Sequence, residues 1–332
     1  MSRLWRQSWF LLALVGVLGA GLTLGLGERR VAEAFVDAVP PALTTAVVLF
    51  LMAFSLDSHR LRESLRRPAG AVWGSAVNLG LLPALAAACA PLLALRDLAL
   101  GLVVTAISPS TLATASVFTR RAGGNDAVSL LVTLLTNVAC VAVTPLWLRA
   151  LVSEHAEVRT AEVVRQLALC VLLPTLLGQL CLLPRAGRAI ADRHRARVGL
   201  VSQLLVLLIV STAAVRAGLE LRRHEVWPSA GDLLAMAALC LLVHAAGLAG
   251  GWWGGGILRL APADRIATAI AGSQKTLPVS LLIAASPSVA SADAPFVILP
   301  LLAYHAIQLV LDTAIADAWR RRRSSAGSRA RP

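Results

Sequence analysis

The chain has 332 residues, of which 57% are hydrophobic and 15% are charged, and its mean hydropathy is +0.74. Soluble domains average about 45–50% apolar and about 25% charged residues. The net charge of +13 raises nucleic-acid binding as an alternative, but the basic residues are dispersed over separate loops without an aromatic platform. The composition therefore predicts an all-α integral membrane protein embedded in a lipid bilayer, with no nucleic-acid partner.

Ten apolar segments, each close to the length of about 20 residues needed to cross the hydrocarbon core, follow one another along the chain. Short loops containing Arg, Pro or Gly separate them. The fourth segment is interrupted by Ser108-Pro109-Ser110-Thr111, and the ninth is broken around Lys275 and Pro278. The ten segments run from Trp9 to Leu26, Pro41 to Leu56, Ala69 to Leu95, Asp97 to Thr119, Ala127 to Leu148, Val163 to Leu183, Val198 to Leu219, Asp232 to Leu258, Ala263 to Ala285 and Pro295 to Trp319.

The orientation is predicted from the arginines, because loops that stay in the cytoplasm accumulate them. If the N-terminus lies inside, the inner segments hold 21 of the 30 arginines and the outer loops hold nine. This ratio favours ten spans with both termini cytoplasmic, including a basic tail over residues 320–332. The stretch from Met1 to Gly25 could instead be a cleavable signal peptide, but its apolar run is long and no clear cleavage site precedes Glu28.

The sequence contains no motif typical of an enzyme. It has no Walker loop, no GxSxG turn and no helix with metal-ligand spacing. The five cysteines fall in apolar stretches without CxxC or Cys/His spacing, which is typical of small buried hydrophobic residues. We therefore expect neither catalysis nor a resident cofactor, and no feature of the sequence indicates an oligomeric state.

The two interruptions occupy matching places, in the fourth span of each set of five. An odd number of spans per half turns the second half upside down, and paired broken helices mark the binding site in transporters built from inverted repeats. The sequence thus predicts one repeat over residues 1–150 (spans one to five) and a second over residues 151–319 (spans six to ten). Broken helices leave backbone groups that lipid cannot satisfy, so the breaks should line a cavity or bind something.

Each break is rich in polar side chains. A proline in a membrane helix is often only a kink, with Ser and Thr satisfying the freed carbonyls, and Pro109 alone permits that interpretation. The density of polar groups favours a binding site instead. Ser129, Thr133 and Thr136 share one face of the fifth span. The candidate binding residues in these two spans are Ser108, Ser110, Thr111, Thr114, Ser116, Ser129 and Thr133.

Lys275 is the only lysine in the chain, and it lies between Gln274 and Thr276 in the ninth span. Lysine is a compact point charge that can release its proton when buried, whereas arginine is a broad fork that cannot. Gln308 and Asp312 share a face of the tenth span with Tyr304, and an intramembrane carboxylate requires a partner. Lys275 is the expected partner of Asp312, either as a structural ion pair or as part of a functional site. His244, in the eighth span, is expected to be a packing residue.

Several segments resemble the bile acid:sodium symporter superfamily, in particular its divergent branch typified by the seventh vertebrate member. The resemblance covers essentially the whole chain in order and spacing. It implies a bacterial transporter of the inner membrane, with a panel domain (spans one, two, six and seven) and a core domain (spans three to five and eight to ten) in which spans four and nine unwind and cross. The segments that carry it are Phe54-Ser55-Leu56-Asp57, Arg67-Pro68, Asn78-Leu79-Gly80-Leu81-Leu82-Pro83, Thr119-Arg120-Arg121-Ala122-Gly123-Gly124-Asn125, Thr144-Pro145 and Leu299 to Gln308.

Sodium-coupled members of that superfamily bind two Na⁺ ions at the crossing. The resemblance places candidate sodium ligands at Asn78, Ser116, Ser129, Thr133 and Gln274. Three departures are important: the span-four Ser-Asn pair falls on Ala115 and Ser116, the sodium-bridging Glu falls on Ile270, and the Asn that follows the span-nine Gln falls on Lys275. The ammonium group of Lys275, attached to the chain near the backbone carbonyls of the broken helices, could take the place of a diffusible cation.

Three functions follow from these observations. The first is a secondary-active carrier of a small organic anion, operating by alternating access with weak or no sodium dependence, in which Lys275 replaces Na⁺ or couples transport to protons. The second is an ordinary sodium symporter of bile acids or other organic anions, with Lys275 directed at the substrate. The third is a non-transporting scaffold or regulator, in which Lys275 and Asp312 form a structural pair whose double apolar replacement is tolerated.

Overall fold

The structure is a computed structural model that describes residues 3–56, 58–66, 68–112, 114–152, 159–223, 227–286, 289, 294 and 296–329. Two residues of the resemblance, Asp57 and Arg67, lie outside these ranges. The described part of the chain is helical and contains no β-strand. Its α-helices are α1 (Arg3–Leu26), α2 (Arg29–Asp37), α3 (Pro41–Phe54), α4 (Ser58–Leu65), α5 (Ala69–Ala76), α6 (Leu82–Cys89), α7 (Arg96–Ile107), α8 (Ala115–Arg121), α9 (Asp126–Val152), α10 (Thr160–Leu167), α11 (Leu173–Leu180), α12 (Arg185–Arg223), α13 (Ala230–Ile257), α14 (Pro262–Ser273), α15 (Leu277–Ala284) and α16 (Ile298–Arg329).

Seven helical segments of the described chain are long and apolar enough to cross a bilayer. Three of them are composite: the π-helical turns Val77–Leu81 and Ala168–Leu172 join α5 to α6 and α10 to α11, and the third contains α14 and α15 with the break between them. The pair α2 and α3, bent by 48°, would form an eighth. These helices confirm a polytopic membrane protein. The predicted second and fourth spans do not pass alone, because α3, α7 and α8 are each short, and α1 contributes a shorter apolar helix over Leu12–Leu26.

Helix breaks occur at both interruptions predicted from the sequence. The first helix of the fourth segment ends at Ile107, and Ser108 before Pro109 is extended, with ψ at 155°. A residue before proline is disfavoured in the helical region, which explains the end of α7. In the ninth segment α14 ends at Ser273, the chain is extended at Gln274, and α15 begins at Leu277–Pro278. Proline is tolerated in a first helical turn, because amide groups there lack intrahelical partners.

The helices pack in two groups. In one group α1 lies along α12, and α3 packs against α11 and α12. In the other group α14 packs against α5, α8, α9 and α13, and α16 packs against α7, α8 and α13. The two groups meet where α15 contacts α3 and α12, where α9 contacts α10, and where α16 contacts α12. The broken helices α7–α8 and α14–α15 therefore lie mainly inside the second group.

Small residues bring α13 against the broken helix α14. A Cβ atom at Gly251 would lie 2.5 Å from the Thr268 carbonyl oxygen and from the Ala269 Cα, and one at Gly247 would lie 2.9 Å from the Ser273 Cβ. Small residues permit such close backbone approach between membrane helices. This approach places His244, one turn earlier on α13, beside the end of α14.

Ion pairs stabilise the end of the molecule that contains the turn between α8 and α9. Gly123 in this turn has φ at 77°, a left-handed conformation that favours glycine. Arg121 forms a bidentate ion pair with Asp317, with N–O distances of 2.8 and 2.6 Å. Arg60 pairs with Asp126 at 2.5 and 2.6 Å. These contacts hold α8, α9 and α16 together at this end and connect α4 to them.

Candidate functional site

The ammonium group of Lys275 lies at the point where the two breaks meet. Its Nζ donates to the Ser108 carbonyl oxygen at 2.8 Å, to the Asn78 carbonyl oxygen at 2.7 Å and to the Asn78 side-chain oxygen at 3.2 Å. Only 2% of the Lys275 residue is exposed. Three donors thus meet three oxygen acceptors, which satisfies a lysine ammonium completely.

Asn78 connects the lysine to the end of α14. It lies in the π-helical turn Val77–Leu81, a distortion that is frequent at functional sites. Its side-chain amide donates to the carbonyl oxygens of Gly272 at 3.0 Å and Gln274 at 2.8 Å. Asn78 is fully buried. One side chain therefore organises both the unwound backbone of α14 and the position of the ammonium group.

The two breaks also bond directly to each other. The Thr276 amide donates to the Pro109 carbonyl oxygen at 3.0 Å. The Ser110 hydroxyl donates to the Ala271 carbonyl oxygen at 2.6 Å. A further bond, at 2.9 Å, runs from the Ser280 hydroxyl on α15 to the Ser108 hydroxyl. Residues 108–110 and 271–280 are thus held together as one polar centre.

Protein groups satisfy the carbonyl oxygens at both breaks. At the first break the Thr144 hydroxyl donates to the Ile107 carbonyl oxygen at 2.8 Å, and the Asn137 amide donates to that of Ser110 at 2.9 Å. At the second break the Tyr304 hydroxyl donates to the Ser273 carbonyl oxygen at 2.8 Å. The carboxyl ends of α7 and α14 are the negative poles of their helices, so a cation between them is stabilised. Lys275 supplies that cation from the chain itself.

The ion pair expected between Lys275 and Asp312 does not form, and this prediction was wrong. Asp312 is fully buried, and its two oxygens contact His244 Nε2 at 3.0 Å and the Gln274 side-chain amide at 2.5 Å. Lys275 meets α16 through its backbone instead. Its amide donates to Gln308 Oε1 at 2.9 Å, and its carbonyl oxygen accepts from Gln308 Nε2 at 3.0 Å. The ammonium is directed to α5 and α7 because the extended backbone around Lys275 uses its α16-facing side for Gln308.

His244 was expected to be a packing residue, and the structure gives it a polar role as well. Its ring is fully buried and lies edge-on to Tyr304, with 5.5 Å between ring centroids. In addition Nε2 contacts Asp312, and Nδ1 contacts the Ser273 carbonyl oxygen at 3.2 Å. The sequence signal for this role was a histidine in an apolar span, three residues before the first glycine of the Gly247/Gly251 pair.

The remaining candidate residues divide into two sets. Thr114 joins the centre, because its hydroxyl donates to Gln274 Oε1 at 2.9 Å. Ser116 lies instead beside a separate cavity of about 210 Å³ that Arg120 and Arg195 also line. Thr111, Ser129 and Thr133 are buried; the Thr133 hydroxyl donates to the Leu130 carbonyl oxygen at 2.8 Å, and the Ser129 hydroxyl has no hydrogen-bond partner.

Several contributors to the centre were not among the predicted site residues: Thr144, Tyr304, Asn137 and Ser280. Asn137 donates to the carbonyl oxygens of Ser110 and Thr133, at 2.9 and 2.7 Å. Ser280 bonds to Ser108 across the two breaks. Asn137 could have been selected from its place on the polar fifth span. Ser280 follows Thr276 by four residues in the ninth segment, and that spacing alone indicates only a shared helical face.

The amino-acid sequence of the chain is similar to those of a transporter family. A sequence model of the SBF-like CPA transporter family matches residues 8–321. A probable sodium/metabolite cotransporter, BASS4, of the Arabidopsis thaliana chloroplast is 26% identical over 235 residues, which are 68% of this chain and 53% of that protein. An uncharacterized protein of Pseudomonas aeruginosa is 29% identical over 76% of this chain and 73% of its own length. Sodium/bile acid cotransporter 7 of Danio rerio is 29% identical over 33% of this chain and 32% of its own length.

The chain thus aligns with about half the length of the Arabidopsis protein. The family match, in contrast, leaves out only short segments at the two ends of the chain. It agrees with the resemblance seen in the sequence and with the apolar helices of the structure. The chain belongs to the SBF-like CPA transporter family of the bile acid:sodium symporter superfamily.

Proposed function

We propose that this protein is a secondary-active transporter of a small organic anion that works by alternating access with little or no dependence on sodium. The observation that carries the proposal is the Lys275 ammonium, held by three oxygens between the ends of α7 and α14. In transporters with broken helices, unwound carbonyls and half-helix carboxyl ends are the groups that coordinate a coupling cation. A tethered ammonium at such carbonyls fulfils the same electrostatic role without a diffusible ion.

The proposed architecture has ten spans arranged as two inverted five-helix repeats, residues 1–150 and 151–319. The panel domain comprises α1, α3, α10–α11 and α12, and the core domain comprises α5–α9 and α13–α16. The packing of the helices in two groups supports this division. The distribution of arginines supports an orientation with both termini and the tail in the cytoplasm. The similarity to a Pseudomonas aeruginosa protein supports the plasma membrane of a bacterium as the location. Alternating access is then a movement of one group against the other.

The residues expected to bind sodium fit that ion poorly. The side-chain oxygens of Asn78 and Gln274 already accept hydrogen bonds from Lys275 and Thr114. Ser116 lines a different cavity. Ile270, at the position where sodium-coupled relatives would carry a carboxylate, is fully buried among apolar side chains. Hard cations prefer carboxylate and carbonyl oxygens, and the oxygens of the nearby carboxylate, Asp312, are already in contact with His244 and Gln274.

The first test replaces sodium with choline. We expect purified protein in liposomes to take up radiolabelled organic anions, taurocholate among them, at the same rate in sodium chloride and in choline chloride. We also expect sodium alone not to raise the Tm of the detergent-solubilised protein, because a ligand that binds only the folded state must stabilise it. A steep and saturable sodium requirement for uptake would show that the ammonium does not replace the ion.

The organic-anion part of the proposal is supported by a cavity of about 510 Å³ where the two helix groups meet. Its volume lies within the range of about 300–1,000 Å³ that is usual for small-molecule sites. Most of its lining is apolar, from α3, α12 and α15, and its charged residues are Arg216, Asp37 and Glu220. The Arg216 Nε is buried without a hydrogen-bond partner. A guanidinium within an apolar span suits the carboxylate or sulfonate of an anion with an apolar body.

The second test addresses Arg216 directly. We expect Arg216→Gln to weaken uptake through a higher KM of about tenfold to a hundredfold, since hydrogen bonds to charged groups contribute about 1.5–3 kcal/mol. Arg197→Gln is the matched control, because Arg197 lies exposed at the other end of the same helix, α12. An unchanged KM in Arg216→Gln would place the anion elsewhere.

Sodium symport is the second candidate. The relatives named as sodium cotransporters favour it, and so does the Ser129 hydroxyl, an expected ligand that is buried without a partner. It predicts that Lys275→Gln weakens uptake of the anion but leaves a sodium-induced rise in Tm intact. The scaffold hypothesis depended on a structural pair between Lys275 and Asp312, and the contacts of the two side chains remove that basis.

A further inference from the structure

The side chains of His244 on α13 and Asp312 on α16 face each other in the interior of the second helix group. Both are 0% exposed. The distance from His244 Nε2 to Asp312 Oδ1 is 3.0 Å, and the distance from His244 Nδ1 to the Ser273 carbonyl oxygen is 3.2 Å. Leu248, Ile270 and Ala316 form an apolar cluster between the same three helices. The pair is thus closed off from water.

The hydrogen bonds of this pair require one proton in addition to the single hydrogen of a neutral imidazole. A carbonyl oxygen has only lone pairs, so Nδ1 of His244 must carry a hydrogen to bond with Ser273. A second hydrogen must lie between Nε2 and the Asp312 oxygen, because both atoms are otherwise acceptors. The two side chains together therefore hold two hydrogens. A neutral imidazole beside an ionised carboxylate holds only one.

The charges around Asp312 lead to the same conclusion. The Lys275 ammonium is directed at Asn78 and Ser108, and no arginine of the described chain pairs with Asp312. A buried carboxylate without a compensating cation is strongly disfavoured. One additional proton, whether on the imidazole or on the carboxyl group, makes the pair neutral as a whole.

The pair is connected to both helix breaks through one side chain. The second oxygen of Asp312 accepts from the Gln274 amide at 2.5 Å, and Gln274 Oε1 accepts from Thr114 at 2.9 Å. Loss of one proton would leave a single hydrogen for two contacts. Either the bond of Nε2 to Asp312 or the bond of Nδ1 to the Ser273 carbonyl oxygen at the end of α14 would then be lost. Protonation is therefore linked to the geometry of the crossing.

We propose that His244 and Asp312 form a proton-binding site that couples proton movement to transport, a role distinct from that of Lys275. The inference rests on the proposed transport function and specifies its coupling ion. One proton is bound by the pair in this conformation and released when the pair opens. Nearby titratable groups have other partners or bond to neither member: the Tyr304 hydroxyl donates to Ser273, His305 contacts Gln308, Lys275 contacts Asn78, and the Cys240 thiol lies against the Pro300 carbonyl oxygen.

The test measures Tm against pH for the detergent-solubilised full chain, with protons as the only ligand. The hydrogen bonds of the folded pair require one proton more than a neutral imidazole beside an ionised carboxylate holds. Stability should then fall as pH rises, by up to about tenfold in the unfolding equilibrium constant per pH unit. Asp312→Asn places a neutral amide of the same shape beside His244, and we expect it to remove this slope between pH 7 and pH 9.

Asp192→Asn is the control, because Asp192 is an exposed carboxylate on α12 and its variant should keep the wild-type slope. If Asp312→Asn does not fold, His244→Gln must change the slope instead, since it takes the imidazole from the pair. If Tm changes with pH equally in the wild type and in whichever of the two variants folds, the proposal is overturned.

A second measurement separates the proton site from transport itself. In liposomes, wild-type uptake of radiolabelled taurocholate should change with an imposed pH gradient, and whatever uptake Asp312→Asn retains should not. Wild-type uptake that ignores the gradient would overturn the coupling. If no organic anion is taken up in any buffer but the slopes differ as expected, the proposed transport function fails and the proton-binding site stands.

Discussion

Lys275→Met is expected to destabilise the protein strongly and to abolish transport. Methionine keeps the length of the side chain but leaves the carbonyl oxygens of Asn78 and Ser108 and the Asn78 side-chain oxygen without their donor. Each buried acceptor left unpaired costs about 1–3 kcal/mol, and removal of a buried charge offsets part of this loss. The Tm of the purified protein in detergent, together with uptake in liposomes, measures both effects.

Lys275→Arg should fail as well, because a planar guanidinium is too broad for three oxygens arranged around a compact ammonium. The matched control is Arg197→Met, which removes an exposed cation and should leave both the Tm and uptake unchanged. A Lys275→Arg protein with wild-type Tm and uptake would contradict the interpretation, because only the positive charge would then matter.

Asn78→Leu is expected to produce the second large loss. The substitution removes the amide that donates to Gly272 and Gln274 and the oxygen that accepts from Lys275. Two carbonyl oxygens at the end of α14 would lose donors inside the protein, at about 1–3 kcal/mol each. The ammonium would also lose one of its three acceptors. We expect a marked fall in Tm and little remaining uptake.

Thr144→Val provides the comparison for Asn78→Leu. It removes a single donor, to the Ile107 carbonyl oxygen at the other break, without changing the shape of the side chain. Its Tm should fall by roughly half as much or less, because one acceptor rather than two loses its donor. Equal losses in the two variants would argue against a special role for Asn78 between α14 and Lys275.

Much of the fold was predictable because lipid imposes strict rules on sequence. Apolar segments of sufficient length must be helical, since the bilayer offers no partner for backbone groups. Pro109 and Pro278 identified both helix breaks for the same local reason that proline disrupts helices elsewhere. The number of spans was less secure. Length and hydropathy select seven segments of the described residues directly, and the short helices α3, α7 and α8 are not among them.

The partners of the buried charges were not predictable in the same way. The sequence placed Lys275 and Asp312 at comparable depth and suggested an ion pair, yet depth gives no information about direction. The rotation of each helix and the path of the extended backbone at Gln274 decide which side chain faces which. Asp312 contacts Gln274, one turn after the apolar Ile270, so the buried carboxylate of this site comes from α16 rather than from α14.

The sequence by itself determined that this is a helical membrane protein with two broken segments, a single lysine in one of them and a resemblance to sodium-coupled carriers. These properties depend on composition, periodicity and local backbone preference. Only the tertiary structure decided that the lysine binds Asn78 and Ser108, and that Asp312 is shared by His244 and Gln274. Hydrogen bonds in a site without water are directional and must all be satisfied, so the partners depend on how five helices, far apart in the chain, are oriented around one point.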